Sequence, residues 1–209
     1  MVQALGSRLE KMVLGLTGSF GSGKTTVARM FSELGAFVVD SDKVAHEALR
    51  TGSPIYDDLR RVFPDKSLIA NDGFDHKKLA AIVFASEKER EKLELIIHPY
   101  VFERLVEEVE QTTKPVVVLE VPLLFESGFD QFCKRVLVVQ APDEIIDQRL
   151  RAKGFAQKEI TARRQAQMPS SEKKKRAHFV IDNSGDIQQT QREVEKIWKK
   201  FHPASKGES

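Results

Sequence analysis

Short apolar runs alternate with stretches of helical spacing along most of this 209-residue chain. Met12–Thr17 (MVLGLT) is the first apolar run, and a helical pattern follows it from Lys24 to Leu34. The later strand-like runs are Phe37–Val39, Val116–Val121, Arg135–Gln140 and Phe179–Ile181. Near-continuous apolar strands separated by helices are typical of a parallel sheet that is covered on both faces. The pattern therefore predicts an α/β fold in which helices flank a five-stranded parallel sheet.

Two segments do not follow this alternation. The first, at about 54–111, carries helical patterns at 77–84, 87–98 and 99–111 and is too long for a plain loop between two strands of one sheet. We expect a helical lobe there, which in a transferase is suited to hold the acceptor. The second, at about 151–177, is polar and basic, and we expect a lid. A single domain then spans 12–201, with its core at 12–53, 112–150 and 178–201, an N-terminal extension at 1–11 and a polar tail at 202–209.

The composition is that of an ordinary globular enzyme and excludes several other classes of protein. A formal net charge of +2 gives no overall field for binding nucleic acid. The single cysteine, Cys133, excludes an intramolecular disulfide and a metal site built from cysteines. No run approaches the roughly 18 apolar residues of a membrane span, and the first residues lack the apolar segment of a secretory signal. We therefore expect a cytoplasmic protein that binds neither nucleic acid nor membrane, and a monomer is favoured.

Residues 18–25 read GSFGSGKT and match the phosphate-binding pattern G-x-x-x-x-G-K-[S/T]. The glycines allow the backbone to curl so that successive N–H groups converge on a phosphate, and the following helix points its positive end at the same oxygens. The Lys24 ammonium is expected to reach the β- and γ-phosphates, and the Thr25 hydroxyl to ligate Mg²⁺. The pattern follows a predicted strand and opens a predicted helix, which is the context that a P-loop requires. We expect ATP to bind at Gly18, Gly21, Ser22, Gly23, Lys24, Thr25 and Thr26.

Three carboxylates stand where strands of the predicted sheet end. Glu120 is the last residue of the run VVVLE. We predict that it lies near the metal, because a carboxylate in an apolar strand needs a partner. The alternative is that Glu120 is solvated at the end of the strand. Asp40 and Asp42 follow the second strand, at the edge where sites of open α/β sheets gather. Either could accept a proton from an acceptor hydroxyl. For each of the two, capping of the next helix is the alternative.

Basic residues are concentrated in one segment. From Arg149 to Arg176 there are ten Lys or Arg against two acids. An arginine held over the phosphates by a lid would stabilise transition-state charge and exclude water. We single out Arg149, which lies in the helix directly after the fourth strand, and interpret most of the others, Lys173–Arg176 especially, as solvated surface.

The P-loop indicates a small-molecule kinase rather than another nucleotide-binding protein. The chain has no N-K-x-D segment, which a GTPase needs, and it is too short for a large motor ATPase. Moving a γ-phosphoryl group requires positioning and charge neutralisation more than covalent chemistry. Two alternatives stay open from the residues alone: a kinase acting on a nucleoside, nucleotide or shikimate-like acceptor, and a regulatory module that only binds ATP.

Six segments, in order and spacing, resemble the dephospho-CoA kinase family. They are GLTGSFGSGKTTVA, LGAFVVDSD, IIHPYV, VPLLFESG, RVLVVQAP with QRL, and RRQAQMP with VIDNSG, and together they cover roughly residues 12–201. The resemblance implies a P-loop kinase fold with a nucleotide-binding core, a helical lobe that binds CoA, and a lid. It also implies transfer of the ATP γ-phosphoryl group to the 3′-hydroxyl of dephospho-CoA, which gives CoA and ADP in the final step of coenzyme A biosynthesis.

The resemblance also implies roles for individual residues. Asp42 matches the catalytic base of the family, with Asp40 beside it, and Arg149 matches an arginine near the transferred phosphate. Segments of the family that line the acceptor side match two stretches of this chain. These stretches are His98 with the adjacent Pro99, and the three consecutive residues Pro122, Leu123 and Leu124. Many relatives carry Asp where this chain has Glu120, so a direct and a water-bridged contact with Mg²⁺ both stay open.

Overall fold

A computed structural model describes residues 10–201, apart from the side chain of Phe84. Residues 1–9 of the predicted extension, and the predicted tail at 202–209, lie outside the described residues. In chain order, the strands and α-helices are β1 (Met12–Gly18), α1 (Lys24–Glu33), β2 (Phe37–Asp40), α2 (Ser41–Ala48), α3 (Tyr56–Val62), β3 (Ile69–Ala70), β4 (Gly73–Phe74), α4 (His76–Ala85), α5 (Glu87–Gln111), β5 (Val116–Glu120), β6 (Arg135–Gln140), α6 (Asp143–Ala152), α7 (Gln157–Gln165), α8 (Ser170–Arg176), β7 (Phe179–Asp182) and α9 (Ile187–Phe201).

The main sheet has five strands in the order β2-β5-β1-β6-β7. Strand β1 pairs in parallel with β5 on one side and with β6 on the other, and β6 pairs in parallel with β7. The predicted five-stranded α/β sheet is therefore confirmed. Because β1 is the central strand, the loop that follows it opens at the middle of the edge where ligands bind in such sheets.

Helices α1 and α9 pack against this sheet and bury their apolar faces. The buried side chains of this core include Leu14, Leu16, Val27, Phe31, Val194 and Ile197. Each such side chain contributes roughly 1.5–3 kcal/mol when it is removed from water. The core therefore holds the start of α1, and with it the end of the loop after β1, in one position.

Gly15 of β1 makes room for the only cysteine of the chain. A Cβ atom at Gly15 would lie 2.8 Å from the Sγ of Cys133 and 2.8 Å from a methyl group of Leu124. The thiol of Cys133 donates to the carbonyl oxygen of Phe129 at 3.4 Å. Burial raises the pKa of this thiol to about 12. Cys133 therefore packs as a small apolar residue behind the central strand.

Residues Asp40–Glu108 form a second compact unit, separate from the one that contains the sheet. This unit holds α2, α3, α4 and most of α5, together with the antiparallel pair β3 and β4. The helical lobe predicted for 54–111 falls largely within it. The unit begins earlier, at Asp40, because α2 packs with the helices that follow it, and the two short strands were not predicted.

Helix α5 runs unbroken through Pro99, whereas the sequence indicated separate patterns at 87–98 and 99–111. A proline inside a helix removes one hydrogen bond and costs about 3 kcal/mol. Here Ile97, Val101 and Leu105 recur at four-residue spacing on both sides of the proline, and all three are buried. Packing of this continuous stripe outweighs the local cost. Although α5 has 25 residues, none of the helices in 10–201 is long and apolar enough to cross a membrane.

Candidate active site

The loop between β1 and α1 has the backbone geometry of a phosphate-binding loop. Gly21 and Gly23 adopt φ angles of 83° and 100°, which favour glycine. A Cβ atom at Gly23 would lie 2.0 Å from the amide nitrogen of Asn183, so no other residue fits there without displacement. The Lys24 ammonium lies back over the loop and donates to the carbonyl oxygens of Gly18 and Ser19, each at 3.1 Å.

Asn183, directly after β7, supports this loop from behind. Its side-chain amide donates to the carbonyl oxygen of Ser22 at 2.8 Å, and its oxygen accepts from the Thr190 hydroxyl of α9 at 2.9 Å. All three residues are buried. The backbone of the loop is thereby tied to α9. The sequence indicated no role for Asn183; the available signal was a polar residue placed where the last strand ends.

A cavity of about 350 Å³ opens beside the loop and joins several of the predicted residues. Its wall contains Arg149, whose Nη1 atom is buried and has no hydrogen-bond partner among residues 10–201. An unpaired buried guanidinium atom is costly and is suited to an anion. The lining residues are Gly21, Gly23, Lys24, Thr25, Thr26, Arg149, Leu150, Lys153, Asn183, Gly185 and Ile187.

Of the predicted nucleotide-binding residues, Gly18 and Ser22 do not line this cavity. Ser22 is fully buried and its N–H donates to the carbonyl oxygen of Ser19 at 3.1 Å, so it shapes the turn of the loop. A Cβ atom at Gly18 would lie 2.2 Å from the carbonyl oxygen of Val139 in the adjacent strand. Both residues therefore support the loop from its inner side.

Thr25 and Glu120, the two residues predicted to hold a metal, are in direct contact. The Thr25 hydroxyl donates to a carboxylate oxygen of Glu120 at 2.7 Å. Glu120 ends β5 and is only 5% exposed. Hydroxyl and carboxylate oxygens are the donors that Mg²⁺ prefers. Within the described part of the chain, no group of three or more His, Cys, Asp or Glu side chains could hold a metal. This pair therefore fits an ion that takes most of its ligands from phosphates and water.

The second unit holds the other two predicted carboxylates, and the structure distinguishes them. Asp40 caps α2, because its side chain accepts from the N–H groups of Asp42 and Lys43 at 3.0 and 3.4 Å. Asp42 lies in the first turn of α2, is exposed, and lines a mostly apolar cavity of about 220 Å³. His46 and His76 line the same cavity, with their ring centroids 4.4 Å apart. The sequence did not indicate this histidine pair.

The remaining predicted residues differ in their exposure. Pro122 and Leu123 are half-buried after β5, whereas the Leu124 side chain is fully buried against the sheet. His98 is half-buried within α5 of the second unit. Burial lowers the pKa of His98, and the nearby Glu94 carboxylate opposes that effect.

Comparison with known proteins identifies the family. The sequence profile of the family described as dephospho-CoA kinase matches residues 12–189 of this chain. The chain belongs to the dephospho-CoA kinase family. The relative from Geobacillus kaustophilus is 41% identical over 199 residues, which cover 93% of this chain and 99% of the relative. The relative from Aquifex aeolicus is 40% identical over 193 residues, which cover 90% of this chain and 96% of the relative. Both relatives carry the name dephospho-CoA kinase.

Solved structures agree with this assignment. A crystal structure of a Thermus thermophilus protein has a TM-score of 0.79 at 35% identity, covering 91% of this chain and 97% of the other. Dephospho-CoA kinase from Campylobacter jejuni has a TM-score of 0.65 at 26% identity, covering 90% and 96%. The predicted P-loop kinase fold is thereby confirmed. So is the predicted class of enzyme, an ATP-dependent dephospho-CoA kinase of coenzyme A biosynthesis with a small-molecule acceptor.

In this member of the dephospho-CoA kinase family, the segment rich in Lys and Arg at 149–176, the basic segment, packs on the P-loop. The Arg163 guanidinium of α7 lies 4.6 Å from the ring centroid of Phe20, and the Phe155 ring meets Phe20 edge-on at 5.1 Å. The Gln167 side chain accepts from the N–H of Phe20 at 2.9 Å. These contacts were not predicted, because an apolar residue at a variable position of the P-loop pattern carries no signal about its partner.

The interpretation of Lys173–Arg176 as solvated surface is wrong for Lys173. Its side chain is completely buried, whereas Lys174, Lys175 and Arg176 are exposed. Lys173 is the only buried residue of α8. The place of this residue on the helix therefore outweighs the local run of charge.

The lowered pKa of His98 predicts acid-sensitive folding. The ordinary pKa of histidine is about 6.5. Well above this pH, the His98 side chain is neutral in both the folded and the unfolded chain. As the pH falls below that value, the unfolded chain takes up the proton first, and the free energy of unfolding decreases. We expect His98→Gln to lose less stability than the natural chain between pH 7.5 and 5, as measured by urea unfolding. Equal losses in both proteins would contradict the prediction.

Proposed function

We propose that this chain transfers the γ-phosphoryl group of ATP to the 3′-hydroxyl of dephospho-CoA, giving CoA and ADP. The observation that carries the proposal is the cavity that the P-loop, Lys24 and Arg149 line together. Cations and oriented N–H groups around one cavity suit the terminal phosphates of a nucleotide. Membership of the dephospho-CoA kinase family supports the identity of the acceptor.

The P-loop residues bind and orient ATP in this proposal. The N–H groups at the start of α1, together with Gly21 and Gly23, surround the β-phosphate. The Lys24 ammonium leaves its two carbonyl partners and contacts the β- and γ-phosphates. Arg149 stabilises the charge that develops on the transferred group. Thr26 lines the same cavity, and Gly18 and Ser22 keep the loop in shape.

Thr25 and Glu120 would hold Mg²⁺. The ion supplies neutralisation of phosphate charge during transfer. The bond between the Thr25 hydroxyl and the Glu120 carboxylate keeps two oxygens together at the strand end, where either a direct contact or a water-bridged contact from Glu120 would satisfy the ion. Removal of Mg²⁺ with a chelator is expected to abolish transfer.

Membership of the dephospho-CoA kinase family supports acceptor-side roles for several further residues. Asp42 accepts the proton of the 3′-hydroxyl as general base, while Asp40 fixes the start of α2 and so the position of Asp42. His98 and the backbone of Pro122–Leu124 line the acceptor side. The segment at about 151–177 acts as the lid, and the enzyme works as a cytoplasmic monomer without nucleic acid or membrane partners.

A direct transfer assay tests the function. The purified chain is incubated with ATP, Mg²⁺ and dephospho-CoA, and the product is analysed by mass spectrometry for one added phosphate. We expect a 3′-phosphorylated product, and none above background with Lys24→Met, which removes the ammonium but keeps the length of the side chain. Shikimate and a set of nucleosides are assayed in parallel. Faster turnover of any of these acceptors, or no product from dephospho-CoA, would overturn the proposal.

A further inference from the structure

A buried lysine joins the basic segment to the loop that follows β5. Lys173 of α8 has no solvent exposure. Its ammonium donates to the carbonyl oxygen of Pro122 at 2.8 Å and lies 2.9 Å from a carboxylate oxygen of Glu126. The same oxygen of Glu126 accepts from the N–H of Met168 at 2.7 Å. The Pro122 carbonyl oxygen also accepts from the buried Thr17 hydroxyl of β1 at 3.1 Å.

Stability alone does not account for a lysine at this position. Taking an ammonium out of water is expensive, and replacing a buried ion pair by apolar side chains of similar volume is often neutral or stabilising. Burial lowers the pKa of Lys173, while the hydrogen bond and charge of Glu126 oppose that effect. A methionine would fill the same space without the desolvation cost. The ammonium therefore serves something other than packing.

The contacts of Lys173 indicate what it serves. Pro122 follows Glu120 by two residues, and the intervening Val121 donates its N–H to the carbonyl oxygen of Leu16 at 2.9 Å. Fixing the Pro122 carbonyl therefore fixes the backbone that leads directly away from Glu120. Glu126 closes the same loop at its other end and holds the Met168 backbone, which precedes α8. The Lys173 ammonium thus fixes both the backbone just after β5 and the part of the basic segment that leads into α8.

We propose that Lys173 is a positioning residue for phosphoryl transfer, which holds the Pro122–Glu126 loop and the C-terminal part of the basic segment in the arrangement that transfer requires. The inference rests on the proposed function, because that function assigns Pro122–Leu124, the first part of this loop, to the acceptor side. It concerns Lys173 alone among the cations of α8. Lys175 pairs with Glu172 at 2.7 Å on the exposed side, and the Arg176 guanidinium lies over the Phe125 ring at 5.7 Å.

The test compares Lys173→Met with Lys175→Met, a matched control two residues away. We expect Lys173→Met to lower kcat by roughly 10- to 100-fold, the scale of a displacement of about 1 Å remote from the chemistry. ATP affinity, measured by calorimetry, is expected to stay at the value of the natural chain. Lys175→Met is expected to leave both quantities unchanged. An unchanged kcat in a folded Lys173→Met protein would overturn the inference and leave the proposed function intact, because the natural chain is assayed beside it.

A double variant separates positioning from a purely structural role. Lys173→Met leaves the Glu126 carboxylate without its cation, and adding Glu126→Gln removes that unpaired charge. We expect the double variant to melt close to the natural chain while its kcat stays low. Recovery of kcat along with the melting temperature would overturn the inference. If Lys173→Met does not fold, the single variant Glu126→Gln tests the inference instead. We expect this variant to have a reduced kcat and an unchanged ATP affinity. An unchanged kcat would contradict the inference.

Discussion

Replacing Asp42 with Asn is expected to lower kcat for dephospho-CoA phosphorylation by roughly 10²- to 10⁴-fold, the contribution of a positioned general base. An asparagine amide keeps the shape of the side chain but cannot take up the proton of the acceptor hydroxyl. ATP affinity is expected to stay at the natural value, because Asp42 is not among the residues that line the P-loop cavity. Steady-state kinetics and calorimetric titration with ATP measure the two quantities separately.

Asp40→Asn is the matched control for this experiment. Asparagine caps helices about as well as aspartate, so α2 keeps its start and the position of residue 42 is preserved. We expect nearly natural kcat in this variant. A collapse of turnover in Asp40→Asn with a mild effect in Asp42→Asn would make Asp40 the base. A parallel loss of ATP affinity and turnover in Asp42→Asn would contradict the proposed role of Asp42.

Replacing Arg149 with Met is expected to lower kcat by about 10³-fold, the scale for losing one charged donor to a transferred phosphoryl group. The buried Nη1 atom has no partner among residues 10–201, so the substitution breaks no hydrogen bond of that atom within the protein. Folding should therefore be spared while catalysis fails. The measurement is kcat at saturating ATP and acceptor, together with a melting temperature.

Arg151→Met, two residues further along α6, is the control for Arg149. Arg151 is exposed, and its guanidinium donates to the Gln157 side chain at 2.8 Å. We expect its removal to leave kcat unchanged. Equal losses in both variants would indicate that the general charge of the segment matters rather than the placement of Arg149. An unchanged kcat in Arg149→Met would refute its role.

The P-loop could be predicted from the sequence because its determinants are consecutive. The left-handed turns at Gly21 and Gly23, the strand before them and the helix after them are all encoded within a few neighbouring residues. The cap at Asp40 is local in the same way, and it was weighed as one of two alternatives. The sheet also followed from local patterns, since each strand is a short apolar run.

Contacts between distant segments could not be predicted in this way. Lys173 stands in a run of four cations, and its partner Glu126 lies in another loop, so nothing nearby in the chain indicates burial. Asn183 acts through Ser22, 161 positions earlier. His46 and His76 meet only because α2 and α4 pack in one unit. Each of these contacts depends on tertiary packing. Periodicity predicts which face of a helix or strand is buried, but it does not predict which residue of another segment that face contacts.

The thiol behind β1 bears on the chemistry of the proposed product. With its pKa raised to about 12, Cys133 would carry a thiolate in roughly one molecule in 10⁴ to 10⁵ near neutral pH, and only the thiolate attacks a disulfide. Coenzyme A ends in a thiol, and its oxidised form is a disulfide that a cysteine thiolate can attack to give a mixed disulfide. Because the Cys133 thiolate is so rare, we expect the enzyme to form few mixed disulfides with oxidised coenzyme A, and its turnover should be insensitive to oxidised glutathione.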